Sequence, residues 1–243
     1  MKVVARLIVF DMDGTLLEGE TLVFVARELG VEKEVELITN KAMNGELDFM
    51  EAMKQRMNLF KGLPIKKFEE ITKKITLMSD AKKLVKELKK RNFITAIITG
   101  GFDIVAKRVA HELGIDIFIA NQLEIKNRKL TGNFKLNVHN NKGKLLLQLA
   151  EHFNANKTLA VGDGANDIPM LKTANLGIAF RAKQKVKEAI SVQTDHLIDI
   201  LKLINQQNLN NKTKITQQND RYKLIKRKPR TGKSFRENTG TRS

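Results

Sequence analysis

Five short apolar runs mark the chain, at Arg6–Phe10, Ile94–Ile98, Asp116–Ala120, Thr158–Val161 and Leu176–Ala179. Each is too short for a helix and is bounded by Gly, Asp, Asn or Lys, the pattern of a strand buried on both faces. Between and after them, apolar positions recur at helical spacing over Asp103–Leu113, Lys144–His152 and Asp167–Thr173. Strands alternating with helices predict βαβ units, and hence an α/β fold with a Rossmann-like parallel sheet. A further short run at Asp195–Ile198 predicts an edge strand.

Two stretches break this rhythm. From Glu20 to about Lys74 the periodicity is helical throughout, with Leu22, Val23, Ala26 and Leu29 on one face, and Gly30, Asn44-Gly45 and Gly62-Leu63-Pro64 as punctuation. This predicts a helical cap over residues 18–75, inserted into a core made of residues 1–17 and 76–204. At 122–138, Leu123–Lys126 and Lys129–Gly132 flank Asn127-Arg128 and predict a small β-hairpin insertion. Neither insertion is expected to be needed to build the sheet, and both fall where a lid over the C-terminal strand edge would lie. From 205 to 243, Asn, Gln, Lys, Thr and Arg dominate. Such a segment buries too little apolar surface to offset its ordering entropy, so a disordered tail is expected.

Composition narrows the chemistry. The 243 residues contain no cysteine, which excludes disulfides, thiolate metal sites and a cysteine nucleophile. No apolar run approaches the roughly 20 residues that span a bilayer, and no leader pattern opens the chain, so a cytoplasmic protein without membrane contact is expected. Of the formal charge of +17, the segment 205–243 carries +9, leaving +8 for a moderately basic body that suits an anionic substrate. The densest basic patch is Lys226-Arg227-Lys228-Pro229-Arg230, with Tyr222 and Phe235 nearby. It offers nucleic acid a surface, but a solubilising tail without a partner is the favoured reading. Oligomeric state is not readable.

The candidate chemistry sits at strand ends. Asp11 and Asp13 follow the first strand directly, in Asp11-Met12-Asp13-Gly14-Thr15. Two carboxylates at a buried strand tip repel each other, and a divalent cation is the usual remedy. A second strand ends in Thr99-Gly100-Gly101, a hydroxyl and two glycines before a helix, which lets backbone amides approach an anion. Lys142 lies in Asn141-Lys142-Gly143-Lys144 and offers phosphate a compact positive charge. A fourth cluster, Gly162-Asp163-Gly164-Ala165-Asn166-Asp167, again crowds carboxylates and glycines at a strand tip. Taken singly, each also fits a solvated turn. Jointly, a parallel sheet brings them to one edge, where Asp11, Asp13 and Asp163 suit Mg2+.

In this order, the motifs resemble the haloacid dehalogenase superfamily over roughly residues 5–200. The helical insertion resembles the first cap of its phosphoserine phosphatase branch. Thr99 stands where many relatives carry serine, and Gly14 where some do. The resemblance implies a Mg2+-dependent phosphatase that acts on a small phosphorylated amino acid, phosphoserine first and another small phosphomonoester as the alternative, with a place in serine biosynthesis. It implies Asp11 as nucleophile and Asp13 as proton donor and acceptor. Asp11, Asp163 and Asp13 (through its carbonyl) would hold the metal, with Asp167 supporting the metal's water shell. Thr99, Gly100, Lys142 and Asn166 would bind phosphate, and Glu20, Met43, Phe49, Arg56 and Gly101 the rest of the substrate. Glu20 also suits a helix start, and Met43 and Phe49 also suit a cap core.

Overall fold

The computed structural model describes residues 5–206, apart from the side chain of Met43. The expected tail beyond 206, and Met43 as a substrate-contacting side chain, lie outside the described residues. Residues up to Leu201 form one compact unit, and Lys202 opens a second.

The first unit is built on a seven-stranded sheet of order β4-β3-β2-β1-β5-β6-β7. Its strands are β1 (Ala5–Phe10), β2 (Phe93–Phe102), β3 (Ile117–Lys126), β4 (Lys129–Lys135), β5 (Ala155–Gly162), β6 (Leu176–Phe180) and β7 (Gln193–Thr194). All pairings are parallel except β3 with β4. Strand β1 is central because it has no polar face: Leu7, Ile8, Val9 and Phe10 are all fully buried. A strand apolar on both faces needs helices on both sides of the sheet. On one side Leu7, Val9, Ala96, Ile98 and Ala160 pack with Leu146, Leu149, Met170 and Leu171, from α7 (Lys142–His152) and α8 (Ile168–Thr173). Helices α5 (Ala81–Lys90) and α6 (Asp103–Leu113) contact β2 and each other. The chain winds outward from β1 in both directions, to β2 and to β5, so the C-terminal end of β1 is the switch point where such sheets hold ligands.

Between β1 and α5 stand four helices, α1 (Thr21–Leu29), α2 (Glu32–Met43), α3 (Phe49–Asn58) and α4 (Ile65–Lys73). Asp48 caps α3 by accepting the Glu51 N–H at 2.8 Å. The two segments entering and leaving this helical cap pair with each other through an isolated antiparallel bridge. Glu18 N–H donates to Thr76 O at 3.0 Å, and Met78 N–H to Leu16 O at 2.8 Å.

The expected hairpin is the far part of β3 turning back on itself: residues up to Asn121 pair with β2, and Gln122–Lys126 pair antiparallel with β4. Its turn, Asn127-Arg128, has positive φ at both residues (52° and 59°), as a two-residue hairpin turn that matches strand twist requires. The edge strand lies at Gln193–Thr194, not Asp195–Ile198. Register with Ala179 and Phe180 sets its place, and Leu197–Asp199 forms a 3-10 turn that buries Leu197.

The hairpin and the cap are also joined. Gly62 N–H donates to Leu130 O at 2.8 Å, Leu130 N–H to Leu63 O at 2.9 Å, and Ile65 N–H to Arg128 O at 2.9 Å. The loop between α3 and α4 thus extends the free side of β4. No helix among the described residues is long and apolar enough to cross a membrane.

Candidate active site

Register alone brings the acidic loops together. Phe10 is level with Ile97 of β2 and Val161 of β5, so Asp11 emerges beside the tips of both neighbours. Its own N–H still donates to Val161 O at 2.9 Å. Carboxylate oxygens of Asp11, Asp163 and Asp167 all lie within 4.8 Å of one another, and all three residues are buried.

Lys142, the first residue of α7 and only 1% exposed, is the counter-ion. Its ammonium donates to Asp11 at 2.7 Å and to Asp167 at 2.6 Å. The second oxygen of Asp167 accepts the Gly164 N–H at 3.0 Å, so both of its oxygens are engaged within the protein. Asp163 accepts from Thr15 Oγ1 at 3.2 Å. Burial, then repulsion from Asp167, holds the Asp11 carboxyl well above the ordinary carboxylate range, against the pull of Lys142. Burial, then Asp167 and Glu20, pushes Asp163 up to about 6, opposed by Lys183 and Thr15. One ammonium does not satisfy this cluster. Asp11 and Asp163 remain short of positive charge, and their carboxylate oxygens are donors of the kind a hard divalent cation takes.

Asp13 stands apart from that trio. Its carboxylate accepts a hydrogen bond from Thr21 Oγ1, 2.5 Å away at the start of α1. Burial, then the charge of Glu20, pushes Asp13 up to about 7, with Thr21 and Lys142 pulling the other way. Gly101 closes in beside it: a Cβ there would sit 2.8 Å from Met12 Cε and 3.2 Å from Asp13 Oδ2, so the Thr99–Gly101 backbone lies close against the acidic loop. Thr99 Oγ1 accepts the Gly101 N–H at 2.9 Å.

These groups floor a cavity of about 280 Å3. Of the residues expected from sequence, Asp11, Asp13, Glu20, Phe49, Arg56, Thr99, Gly100, Gly101, Lys142, Asp163 and Asn166 line it, with Asp167 buried behind. Arg56 keeps its Nε on Ala52 O at 3.2 Å, and burial lowers its pKa, with Glu20 partly offsetting this. Thr21, Met53, His139 and Lys183 also line the cavity and were not anticipated. Lys183 lies just beyond β6, at the same sheet edge as the acidic loops, and that position was the available signal. Fully buried Asn121 was missed as well: its amide donates to Gly100 O at 2.8 Å, and its Oδ1 accepts the N–H groups of Asn137 and Val138, each at 2.8 Å.

Residues 5–175 match the haloacid dehalogenase-like hydrolase family. The chain belongs to this family. Within it the chain falls in the phosphoserine phosphatase branch. It is 45% identical over 205 residues to the phosphoserine phosphatase of Methanocaldococcus jannaschii, covering 82% of this chain and 97% of that one. Two solved structures superpose with a TM-score of 0.76 at 43% identity, each covering 83% of this chain and 99% of the other. One is a phospho-aspartyl intermediate analogue of phosphoserine phosphatase, and the other a substrate-bound phosphoserine phosphatase complex. The parallel sheet with its helical cap and hairpin is thus the fold of this hydrolase family.

Proposed function

We propose that this chain is a Mg2+-dependent phosphomonoester hydrolase that converts O-phospho-L-serine to L-serine and phosphate through an aspartyl phosphate. The observation that carries the reading is the buried Asp11–Asp163–Asp167 cluster at a cavity that Asp11 and Asp163 line together with Thr99, Gly100, Gly101 and, from the cap, Glu20 and Arg56.

Asp11 is the nucleophile. Its carboxylate attacks phosphorus, a P–O bond to the aspartate forms, and the ester P–O bond breaks. Asp13 gives its proton to the departing serine oxygen. A pKa of about 7 leaves a useful fraction protonated near neutrality and lets the same group act as base afterwards. Water then attacks the phosphorus of the aspartyl phosphate, Asp13 takes its proton, and Asp11 and inorganic phosphate are regenerated. Thr99, the Gly100 amide, Asn166 and Lys142 hold the phosphoryl oxygens. Asp11, Asp163 and the Asp13 carbonyl would hold Mg2+, which supplies positive charge to the phosphoryl group. Asp167, whose oxygens already serve Lys142 and Gly164, fits a supporting place rather than a direct one. Glu20 receives the substrate ammonium and Arg56 its carboxylate, a pairing guanidinium makes well. Residues 18–75 act as the substrate-recognising cap on a core of 1–17 and 76–204.

The experiment is phosphate release with Mg2+ or EDTA, across phosphoserine, phosphothreonine, sugar phosphates and nucleotides, for the parent and Asp11→Asn. Phosphoserine is expected to lead by kcat/KM, EDTA to abolish turnover, and Asp11→Asn to lose several orders of magnitude. Hydrolysis indifferent to chelator, or a near-normal Asp11→Asn, would overturn the mechanism. A different leading ester would overturn the substrate.

A further inference from the structure

Phe49 opens α3 on the cap side of the cavity and remains 39% exposed, so few neighbours fix its ring. One that does is His139: the ring centroids are 4.3 Å apart and the planes are inclined by 34°. His139 comes from the core side, in the irregular segment between β4 and α7, and it too lines the cavity.

That segment is held by asparagines. The His139 N–H donates to Asn141 Oδ1 at 2.8 Å, and the Asn141 amide donates to Asn137 O at 3.0 Å. Asn137 and Val138 hang from buried Asn121, whose amide grips the Gly100 carbonyl. The backbone that carries the imidazole is therefore tied, through Asn141, Asn137 and buried Asn121, to the strand tip that holds Gly100. The imidazole face meets the cap. A ring carried on backbone tied to the core and touching a partly exposed ring of the cap makes the position of Phe49 depend on the core.

We infer that His139 is a positioning residue for substrate recognition: by stacking on Phe49 it holds that ring over the cavity and sets the affinity for the organic part of the phosphomonoester, without touching the reacting atoms. This deepens the phosphatase reading of the site and rests on it. Aromatic pairs gain from such contact beyond simple burial, and the gain is realised only while the cap lies against the core. Its loss is therefore expected in KM rather than in the chemical step.

The test is a double-mutant cycle on the full chain with Mg2+, using His139→Ala, Phe49→Ala and both together, with His139→Phe as the conservative partner. Substrates are phosphoserine and p-nitrophenyl phosphate, and thermal unfolding confirms that each variant folds. His139→Ala is expected to raise KM for phosphoserine roughly fivefold, the size of one lost aromatic pair, while kcat moves less than KM does. His139→Phe, which keeps a ring, is expected to return KM to within about twofold of the parent. Once Phe49 is already Ala, removing His139 is expected to change little, because coupled residues fail to add. Additive losses, an unchanged KM, or a His139→Phe variant as poor as His139→Ala would overturn the inference. The parent's rate on phosphoserine is read first. If it is nil, the substrate assignment fails, and the same cycle is scored on the monoester that turns over fastest.

Discussion

Replacing Lys142 with Met keeps most of the stem and removes the charge that separates Asp11 from Asp167. The ammonium lies 2.7 Å from one carboxylate and 2.6 Å from the other. At an effective dielectric of about 20, each attraction is worth about 6 kcal/mol gross. Taking the ammonium out of water offsets several kcal/mol of that, and breaking a buried pair by removing one partner costs about 3–5 kcal/mol net. The variant in EDTA is therefore expected to lose about 4 kcal/mol of unfolding free energy near pH 8. The loss has a direction with pH. Lys142 has its pKa raised by the two carboxylates, after burial has lowered it, so it stays charged across the working range and contributes no slope there. The slope comes from the acids. Asp11 is raised well above its ordinary value, Asp163 to about 6 and Asp13 to about 7. From about pH 4 upward the folded chain thus holds protons that the unfolded chain has released, and stability falls as pH rises. Without Lys142, Asp11 moves further up and the fall steepens, so the penalty near pH 5 should be at most half of that near pH 8. Urea unfolding followed by circular dichroism at both pH values measures this, and added Mg2+ should restore part of the loss at the higher pH by binding the folded state. A penalty below about 1 kcal/mol near pH 8, or one equal at both pH values, would refute Lys142 as the counter-ion.

Three further outcomes are expected. Gly143→Ala would place a Cβ 2.9 Å from the Pro169 carbonyl oxygen, forcing α7 away from α8; a cost of about 1–3 kcal/mol is expected, with a lower kcat because Lys142 rides on the same turn, and an unchanged unfolding midpoint would contradict this. Asp116→Ala removes an acceptor that takes the Thr95 N–H at 2.9 Å, Thr95 Oγ1 at 2.8 Å and Lys89 at 2.5 Å. Burial raises the Asp116 pKa, but the Lys89 and Thr95 hydrogen bonds outweigh it and the net shift is downward. Its contribution, about 1–2 kcal/mol, is present at neutral pH and fades as pH drops below about 4, so denaturation curves showing the same deficit at both ends would count against it. Arg56→Ala is expected to raise KM for phosphoserine at least tenfold, the scale of a charged hydrogen-bonded contact, and to leave p-nitrophenyl phosphate within about twofold; equal losses on both substrates would make the arginine structural.

The difference between what sequence revealed and what it hid has a physical cause. An apolar run that ends in Asp is read locally: Leu7–Phe10 must be buried, so Asp11 must leave the sheet at its tip, and the same holds for Val161 before Asp163. Register does the rest, because parallel strands put every such tip on one edge. The partner of the Lys142 ammonium was not readable in this way. The pattern that placed the lysine near phosphate carries no information on the 2.7 Å contact with Asp11, which depends on how α7 packs against β5 and α8. The same limit explains the edge strand, where Leu197 and Ile198 looked strand-like but the edge of β6 had already been paired by Gln193 and Thr194. The groups proposed for recognition suffer most. Phe49 and Arg56 sit on α3, whose placement over the core is fixed partly by main-chain hydrogen bonds between Gly62–Ile65 and Arg128–Leu130, and main-chain donors and acceptors are common to nearly all residues. His139 then meets Phe49 only because Asn121, Asn137 and Asn141 hold an irregular segment in place. The acidic groups at strand ends are therefore written in local pattern, whereas the proposed substrate contacts depend on segments far apart in the chain. A substitution in the Gly62–Ile65 loop that weakened those bonds would accordingly shift KM before it touched the nucleophile.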